Sequence, residues 1–257
     1  MEPGGAGRVG PAGATLMTNL TSRLQSDYAI LQAKQKSPNT REASIRRLQR
    51  LLASHLPDSC HSALDLGAGQ GELVEALQRF GCSGASGVEL SVSQVEEARA
   101  HGCSAVVHGD GLETLQGLPD QSLDLVCCFD IFEHLPHEVC AAWFAEIQRV
   151  LRPGGRLIGH VPNGLSPFSG AVYWGDLTHL WCPVPESMQV FCRSSGLQWI
   201  GAYENIGAST GIKGRLRSLA WRGVRALLAA TSTVETGRNA SSSPWSRTFL
   251  FVADNTH

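Results

Sequence analysis

The fold prediction rests on one segment, ALDLGAGQGELVEAL, residues 63–77. An apolar run ends at Asp65 and Leu66, the loop GAGQG follows, and an apolar periodicity of helical type begins at Glu72. Glycines allow a sharp turn and let a ligand approach the main chain closely, and the first amides of a helix attract an anion. The segment therefore predicts a strand, a ligand-binding loop and a helix.

Apolar runs and helix-period segments alternate along the rest of the chain. The predicted helices are Glu72–Phe80, Ser93–His101 and Val139–Leu151, and the sequence RPGG at 152–155 is expected to stop the last of them. The predicted strands are Ser62–Leu66, Ala85–Leu90, Ala105–His108, Leu123–Phe129, Arg156–Val161, Leu197–Tyr203 and Arg247–Val252. This alternation predicts an α/β fold with a mostly parallel sheet and helices on both faces.

One folded domain is expected over residues 16–257, preceded by a disordered tail. Residues 1–15 are rich in Gly, Ala and Pro and lack hydrophobic periodicity, which is typical of a disordered segment. Two insertions, 162–196 and 205–246, separate the late strands. They are expected beyond the strand ends, where they would cover a substrate.

Acidic residues follow the predicted strands at the edge where the glycine loop lies. Glu89 comes at the end of the second strand, twenty residues beyond Gly69, and could accept hydrogen bonds from both hydroxyls of an adenosine ribose. Asp110 follows the third strand and could accept from the amine of adenine. Taken singly, Asp65 and Asp110 are better explained as loop acids that cap helices, but the ordered set predicts an adenosine site.

Together these residues resemble the class I S-adenosylmethionine-dependent methyltransferases. ALDLGAGQG matches their first signature, Glu89 their second-strand acid, and LDLVCCFDIFEHLP with LRPGG their fourth-strand and following-helix segment. The resemblance covers about residues 41–161 and, more loosely, residues 199–254. It implies a Rossmann-like seven-stranded sheet of order 3-2-1-4-5-7-6 whose last strand is antiparallel. It also implies S-adenosylmethionine as cofactor, bound by Asp65, Gly67, Ala68, Gly69, Gly71, Glu89, Leu90, Asp110, Gly111 and Phe129, with Arg47 as a candidate for the methionine carboxylate.

Two other functions are open on the sequence. An NAD(P)-dependent oxidoreductase would use a similar glycine loop, although an acid two residues before the first glycine, here Asp65, is more frequent in methyltransferases. A non-catalytic S-adenosylmethionine-binding module would keep the loop and Glu89 but transfer no methyl group. The methyltransferase interpretation is favoured, with O-methylation of a small-molecule, sugar or lipid-linked acceptor as the expected reaction.

The fourth strand runs into Asp130, Glu133 and His134, which would share one face if the segment were helical. Glu133 and His134 could simply stabilise a loop. Alternatively, His134 could be a general base oriented by Glu133, or the three residues could hold a divalent cation. The EH pair resembles the ubiquinone-biosynthesis O-methyltransferases, whose matching E-x-x-E-H is implied to bind Mg²⁺; here Asp130 stands at the first position.

The first insertion supplies a second candidate base. Its sequence DLTH, residues 176–179, is similar to the D-x-T-H segment of methyltransferases encoded with sugar and lipid pathways, so His179 could take the acceptor's proton. The alternative is that His179 is a hydrogen-bonded structural residue. Tyr173, Trp174 and Trp181 could line an acceptor pocket or form a small core of the loop itself.

Charge and composition limit the partners and the compartment. A formal net charge of −2 gives no field that would draw a nucleic-acid backbone. Eight cysteines without a CxxC pair are typical of a reducing compartment, so a cytoplasmic protein is expected. Residues 211–230 combine a broad apolar face with five basic side chains. They could lie in a membrane interface as an amphipathic helix or pack on the domain as a lid.

Overall fold

One seven-stranded sheet organises residues 38–206 and 211–256, which a computed structural model describes. Its strands are β1 (Ser62–Leu66), β2 (Gly84–Glu89), β3 (Val106–His108), β4 (Leu123–Phe129), β5 (Leu151–Pro162), β6 (Gln198–Glu204) and β7 (Thr248–Asp254). They lie in the order β3-β2-β1-β4-β5-β7-β6. Strands β1 to β5 pair in parallel, whereas β7 runs antiparallel to β5 and β6. The predicted order and antiparallel last strand are confirmed; the tail expected over 1–15 lies outside the described residues.

The helices lie between these strands and in the two insertions. They are α1 (Pro38–Leu52), α2 (Glu72–Arg79), α3 (Val92–Ala100), α4 (Gly111–Gly117), α5 (His137–Val150), α6 (Gly170–Tyr173), α7 (Pro185–Ser194) and α8 (Gly211–Thr236). The three helices predicted from periodicity correspond to α2, α3 and α5, and their ends agree to within two residues. Within 38–206 and 211–256, none of the helices has the length and apolar character needed to cross a bilayer.

The central strands divide their side chains between two apolar layers. Along β1, Leu64 and Leu66 belong to one layer and Ala63 to the other, because successive residues of a strand point to opposite faces. Helices α4, α5 and α7 close the first layer, and α1, α2 and α3 close the second. With both faces covered, the open place for a ligand is the edge at the carboxyl ends of the strands.

The segment after β4 is not an α-helix, so the condition under which Asp130, Glu133 and His134 would share one helical face is not met. Asp130 has a φ of 56°, and its amide donates to the carbonyl oxygen of His160 at 2.8 Å, so hydrogen bonding between β4 and β5 continues through it. Only Phe132–His134 form a turn of 3₁₀ helix, and α5 begins after Pro136. The three polar residues of this segment therefore do not share the face of an α-helix.

The helix before the RPGG sequence at 152–155 stops where predicted, and the structure adds that this sequence lies in a strand. Helix α5 ends at Val150, and β5 begins at Leu151 and contains the whole RPGG sequence. Gly154, with a φ of 78°, donates to the carbonyl oxygen of Asn255 at 2.7 Å, which ties this end of β5 to the chain after β7. Sequence propensity does not predict such a strand start, because Pro and Gly are depleted in strands.

Candidate functional site

The glycine loop takes a conformation that favours glycine. Gly67, Gly69 and Gly71 have φ values of 75°, 52° and 79°, a region that costs other residues roughly 1–2 kcal/mol each. The amides of Gly67 and Ala68 donate to the carbonyl oxygen of Val88 at 2.9 and 3.0 Å. These bonds tie the loop to the end of β2, so the loop and the second-strand acid form one unit.

Glu89 holds the middle of the glycine loop. Its Oε2 accepts from the amide of Gly69 at 2.9 Å, and its Oε1 accepts from the amide of Ser91 at 2.8 Å. A carboxylate offers about four lone-pair sites, so acceptor capacity is left for the hydroxyls of a ribose. Glu89 therefore has both the place and the capacity that the ribose assignment needs.

Asp65 adds a buried acid at the end of β1. Only 2% of this residue is exposed. Burial raises the pKa of its carboxyl well above the usual value, and the carboxylates of Glu89 and Glu72 raise it further. A group of acids in little water favours a cation nearby, and a ligand with an ammonium or a sulfonium would supply one.

Arg41 contacts the glycine loop. Its Nη1 donates to the carbonyl oxygen of Gln70 at 2.8 Å, and its Nη2 lies 3.0 Å from Oε2 of Glu75. Arg47, the candidate from the sequence, is exposed and donates instead to Oδ1 of Asn205 at 3.4 Å. Six positions separate the two arginines on α1, which turns their side chains to different sides of the helix.

Asp110 caps a helix, as one of the two interpretations of its sequence position anticipates. Its Oδ1 accepts from the amides of Leu112 and Glu113 at 2.8 and 3.0 Å, which satisfies two of the free donors at the start of α4. The carboxylate keeps lone pairs on Oδ2 beyond these bonds. Capping and an adenine contact are therefore compatible at Asp110, which is exposed.

The other predicted cofactor residues flank this unit. Leu90 is 62% exposed just after β2. Gly111 begins α4 so close to Trp143 that an added Cβ would lie 2.4 Å from the indole ring. Phe129, at the end of β4, stacks on His160 with 5.3 Å between the ring centroids. All three lie at the carboxyl edge of the sheet, where the sequence predicts them.

Glu133, His134 and His179 converge where the first insertion meets the end of β4. One potential ligand atom of each lies within 4.8 Å of the other two. Nε2 of His179 is 4.0 Å from Oε1 of Glu133 and 3.8 Å from Oδ2 of Asp176. Oε2 of Glu133 and Oδ2 of Asp176 are buried without a hydrogen-bond partner, and burial raises the pKa of the Glu133 carboxyl well above its usual value. Buried acceptors without donors are costly, and a cation or a proton would relieve them.

A hydrogen-bond chain from the insertion orients His134. Oγ1 of Thr178 donates to Oδ1 of Asp176 at 2.6 Å, because a carboxylate can only accept a hydrogen bond. The same hydroxyl oxygen accepts from Nδ1 of His134 at 2.8 Å. Nδ1 of His179 donates to the carbonyl oxygen of Tyr173 at 3.0 Å. Both rings thus carry a proton on Nδ1 and a lone pair on Nε2. Burial and the neighbouring His179 lower the pKa of His134, which keeps its ring neutral at neutral pH.

Asp130 pairs with His160 rather than with the two residues predicted as its partners in a cation site. Its Oδ1 lies 2.8 Å from Nδ1 of His160, and Nε2 of that ring accepts from Nδ2 of Asn205 at 2.7 Å. Sequence reasoning does not identify His160 or Asn205, since the first lies in an apolar strand and the second opens an insertion. The one available signal is a lone histidine near the carboxyl end of β5.

These features define a class of protein. The strand order, the glycine loop and Glu89 at the end of β2 are those of a Rossmann-like methyltransferase fold. The crystal structure of a SAM dependent methyltransferase from Archaeoglobus fulgidus is similar, with a TM-score of 0.60 at 21% identity, covering 83% of this chain and 94% of that one. Residues 64–159 match the sequence model of a family described as a methyltransferase domain. Residues 64–159 therefore resemble a methyltransferase domain in sequence, and the fold of the described residues is that of the class I S-adenosylmethionine-dependent methyltransferases.

The curated relatives that match this chain include two methyltransferases named for small molecules. A ubiquinone biosynthesis O-methyltransferase of Xylella fastidiosa is 30% identical over 126 residues, which cover 47% of this chain and 50% of that protein. A 27-O-demethylrifamycin SV methyltransferase of Amycolatopsis mediterranei is 32% identical over 128 residues, with coverage of 46% and 45%. The chain spans about half the length of the curated relatives it matches. The family match ends at residue 159, before the insertion that carries His179.

Proposed function

We propose that this protein transfers the methyl group of S-adenosylmethionine to an oxygen of a small-molecule, sugar or lipid-linked acceptor. The proposal rests on one spatial relationship between two parts of the site. The glycine loop held by Glu89 follows β1, and Glu133 and His134 follow β4, the neighbour of β1 in the sheet, so the two parts lie at adjacent strand ends. The sulfonium is an activated donor, so the protein must align acceptor, methyl carbon and sulfur and exclude water. Alignment of this kind supplies about 7–11 kcal/mol of the barrier.

The donor half of the proposed site is the unit built on the glycine loop. Glu89 would bind the ribose hydroxyls, Asp110 the adenine amine, and the loop amides the methionine carboxylate. The acids around Asp65 would face the positive end of the ligand. Arg41 donates to the carbonyl oxygen of Gln70, which supports a role for Arg41 in positioning the glycine loop. Arg47, which donates to Asn205, would reach the methionine carboxylate from another side of α1.

His134 is the proposed general base. A neutral ring with a lone pair on Nε2 can take the proton of an acceptor hydroxyl, and the bond from Nδ1 to Thr178 holds its orientation. A positioned base of this kind contributes about 10²–10⁴-fold to the rate. His179 is the second candidate, because its Nε2 lone pair lies within 4.0 Å of a Glu133 oxygen in the same cluster.

As the alternative to a base role for His134, since its single lone pair on Nε2 cannot serve both, we propose a divalent cation at Glu133, His134 and His179, with Asp176 beside it. The unpartnered oxygens of Glu133 and Asp176 support this site. A donor set with two imidazoles suits Zn²⁺ or Mn²⁺, whereas the Mg²⁺ implied by the resemblance prefers oxygen ligands. A bound cation would lower the pKa of an acceptor hydroxyl. Calorimetric titration with Mg²⁺, Mn²⁺ and Zn²⁺ should give binding that Glu133→Gln removes and His101→Ala, on an exposed histidine, retains; equal binding by both variants would exclude the site.

Methyl transfer itself is tested with labelled donor. The protein is incubated with methyl-labelled S-adenosylmethionine and a cell extract, and labelled products are identified by mass spectrometry. Transfer should fall about 10²-fold or more in His134→Ala and stay unchanged in His101→Ala. Donor binding without transfer to any acceptor would favour the non-catalytic module. Retention of NAD(H) with no affinity for S-adenosylmethionine would favour the oxidoreductase.

A further inference from the structure

Helix α8 carries an apolar stripe on the side that faces solvent. The stripe consists of Ile212, Leu216, Leu219, Leu227 and Val234, which are between 61% and 87% exposed. Gly223 and Ala230 continue the same register, so steps of three and four residues keep the stripe on one face of the helix. At a rise of 1.5 Å per residue the stripe extends about 33 Å. Exposed apolar patches of this extent mark interaction sites.

The opposite face of α8 already holds the helix on the domain. Gly214 is buried, and the ring of Trp221 lies 5.9 Å from that of Phe168 in the first insertion. Nε1 of Trp221 donates to Oε2 of Glu204 at 2.7 Å, and Nη2 of Arg225 donates to the carbonyl oxygen of Ser241 at 2.9 Å. A lid helix would turn its apolar face to the domain. Here the face with Gly214, Trp221 and Arg225 does so, and the apolar stripe is left outside.

Basic side chains border the stripe on both sides. At 100° per residue, Arg215 and Arg222 project along one border and Lys213 and Arg217 along the other, and all four are exposed. No acidic residue occurs between Gly211 and Val234. An apolar stripe between two basic borders is the pattern of a helix that lies in the interface of an anionic membrane.

We propose that the apolar stripe of α8 docks on an anionic lipid surface, with the basic borders among the headgroups. Charge complementarity favours lipid over a second copy of this chain, since stripe-to-stripe contact would bring like charges together. Because Trp221 contacts Phe168 on the opposite face, docking would place the first insertion, which carries His179, about one helix diameter (roughly 10 Å) from the bilayer. The docking does not depend on the proposed methyl transfer.

Flotation of the full chain with vesicles tests the proposal. The protein should float with vesicles of mixed phosphatidylcholine and phosphatidylglycerol, and far less with vesicles of phosphatidylcholine alone. Leu219→Glu should weaken binding to the mixed vesicles about tenfold or more, because an apolar side chain leaves the interface and an acid enters it. Val190→Glu is the matched control, since Val190 is 62% exposed on α7 and Leu219 is 65% exposed. Arg222→Glu should reduce the preference for anionic lipid.

Three results would overturn the proposal. The first is no flotation of the full chain with anionic vesicles, and the second is equal binding by Leu219→Glu and Val190→Glu. The third comes from sedimentation velocity: a dimer that Leu219→Glu dissociates would make a second copy of the chain the occupant of the stripe. Both substitutions are at exposed positions, and thermal unfolding checks that the two variants fold alike.

Discussion

Oε2 of Glu89 accepts a hydrogen bond of 2.9 Å from the amide of Gly69, so the second-strand acid and the first-strand loop depend on each other. The same carboxylate holds the amide of Ser91 at 2.8 Å, before α3 begins. One side chain thus fixes two loops at the carboxyl edge of the sheet. Two motifs that are twenty residues apart in the chain are a single structural unit in the fold.

Replacing Glu89 should therefore impair donor binding strongly. A hydrogen bond to a charged group is worth about 1.5–3 kcal/mol, so Glu89→Ala should weaken S-adenosylmethionine binding by roughly 10- to 100-fold. Glu96, an exposed acid on α3, provides the control, and Glu96→Ala should bind like the wild type. Isothermal titration calorimetry measures both. Equal affinities of the two variants would remove Glu89 from the site.

The close approach of β2 to the glycine loop gives a steric prediction. A Cβ added at Gly87 would lie 2.4 Å from Cβ of Ala68 and 3.0 Å from Cγ2 of Val74, and Ala68 belongs to the loop. Overpacking of this kind costs about 1–3 kcal/mol, so Gly87→Ala should lower both the melting temperature and donor affinity.

Two further variants decide whether that cost is steric. Adding Ala68→Gly to Gly87→Ala removes one of the two colliding atoms and should recover part of both losses. Gly117→Ala is the control, because nothing lies within 4 Å of its added Cβ. Thermal unfolding and calorimetry compare the variants, and a double variant no better than Gly87→Ala would show that crowding against Ala68 is not the cause.

Asp65 makes stability depend on pH in a defined direction. Burial, and then the carboxylates of Glu89 and Glu72, raise the pKa of Asp65 in the folded state, whereas the unfolded value is about 3.9. The folded state therefore keeps this proton to higher pH than the unfolded state does. The resulting stability is complete below about pH 4 and is lost as the pH rises through the folded pKa.

Asp65→Asn cannot ionise and should escape that loss. Its melting temperature relative to the wild type should rise between about pH 4 and pH 8, with the smallest difference at the acid end. Asp120→Asn, at an exposed position, serves as the control. Scanning calorimetry over this range gives the slope, and a difference that is flat with pH would mean that the folded pKa of Asp65 is ordinary.

For the proposed donor half the sequence predicts both the residues and their proximity, whereas for the acceptor half it predicts His134 and His179 but not the contacts that hold them. Asp65, the glycines and Glu89 belong to consecutive elements of one strand–helix–strand unit, so chain order alone brings them together. Thr178 and His134 are 44 positions apart, and their contact depends on how an insertion folds over β4. Asp130 turns to His160 because β5 lies beside β4 and the backbone continues the ladder through Asp130. Local periodicity contains no information about either contact.

The buried side-chain amide of Asn163 links the first insertion to the chain before β7, so replacing it should lower the stability of the fold. Nδ2 of Asn163 donates to the carbonyl oxygens of Pro244 and Ser246 at 2.9 and 2.8 Å, and no part of the residue is exposed. Asn163→Ala should cost about 3 kcal/mol, because both carbonyls lose a donor in the interior, and should lower the melting temperature by roughly 2–4 °C per kcal/mol.

A second variant separates the loss of the two hydrogen bonds that Asn163 donates from the loss of its side-chain volume. Asn163→Asp keeps the size but places oxygens against both carbonyl oxygens, so it should destabilise the fold at least as much as Asn163→Ala near neutral pH. Asn239 is exposed and makes a local turn through Ser241, so Asn239→Ala should change stability by less than about 0.5 kcal/mol. Differential scanning calorimetry ranks the three variants. An Asn163→Asp variant as stable as the wild type would show that the two donated bonds do not hold the insertion to the chain before β7.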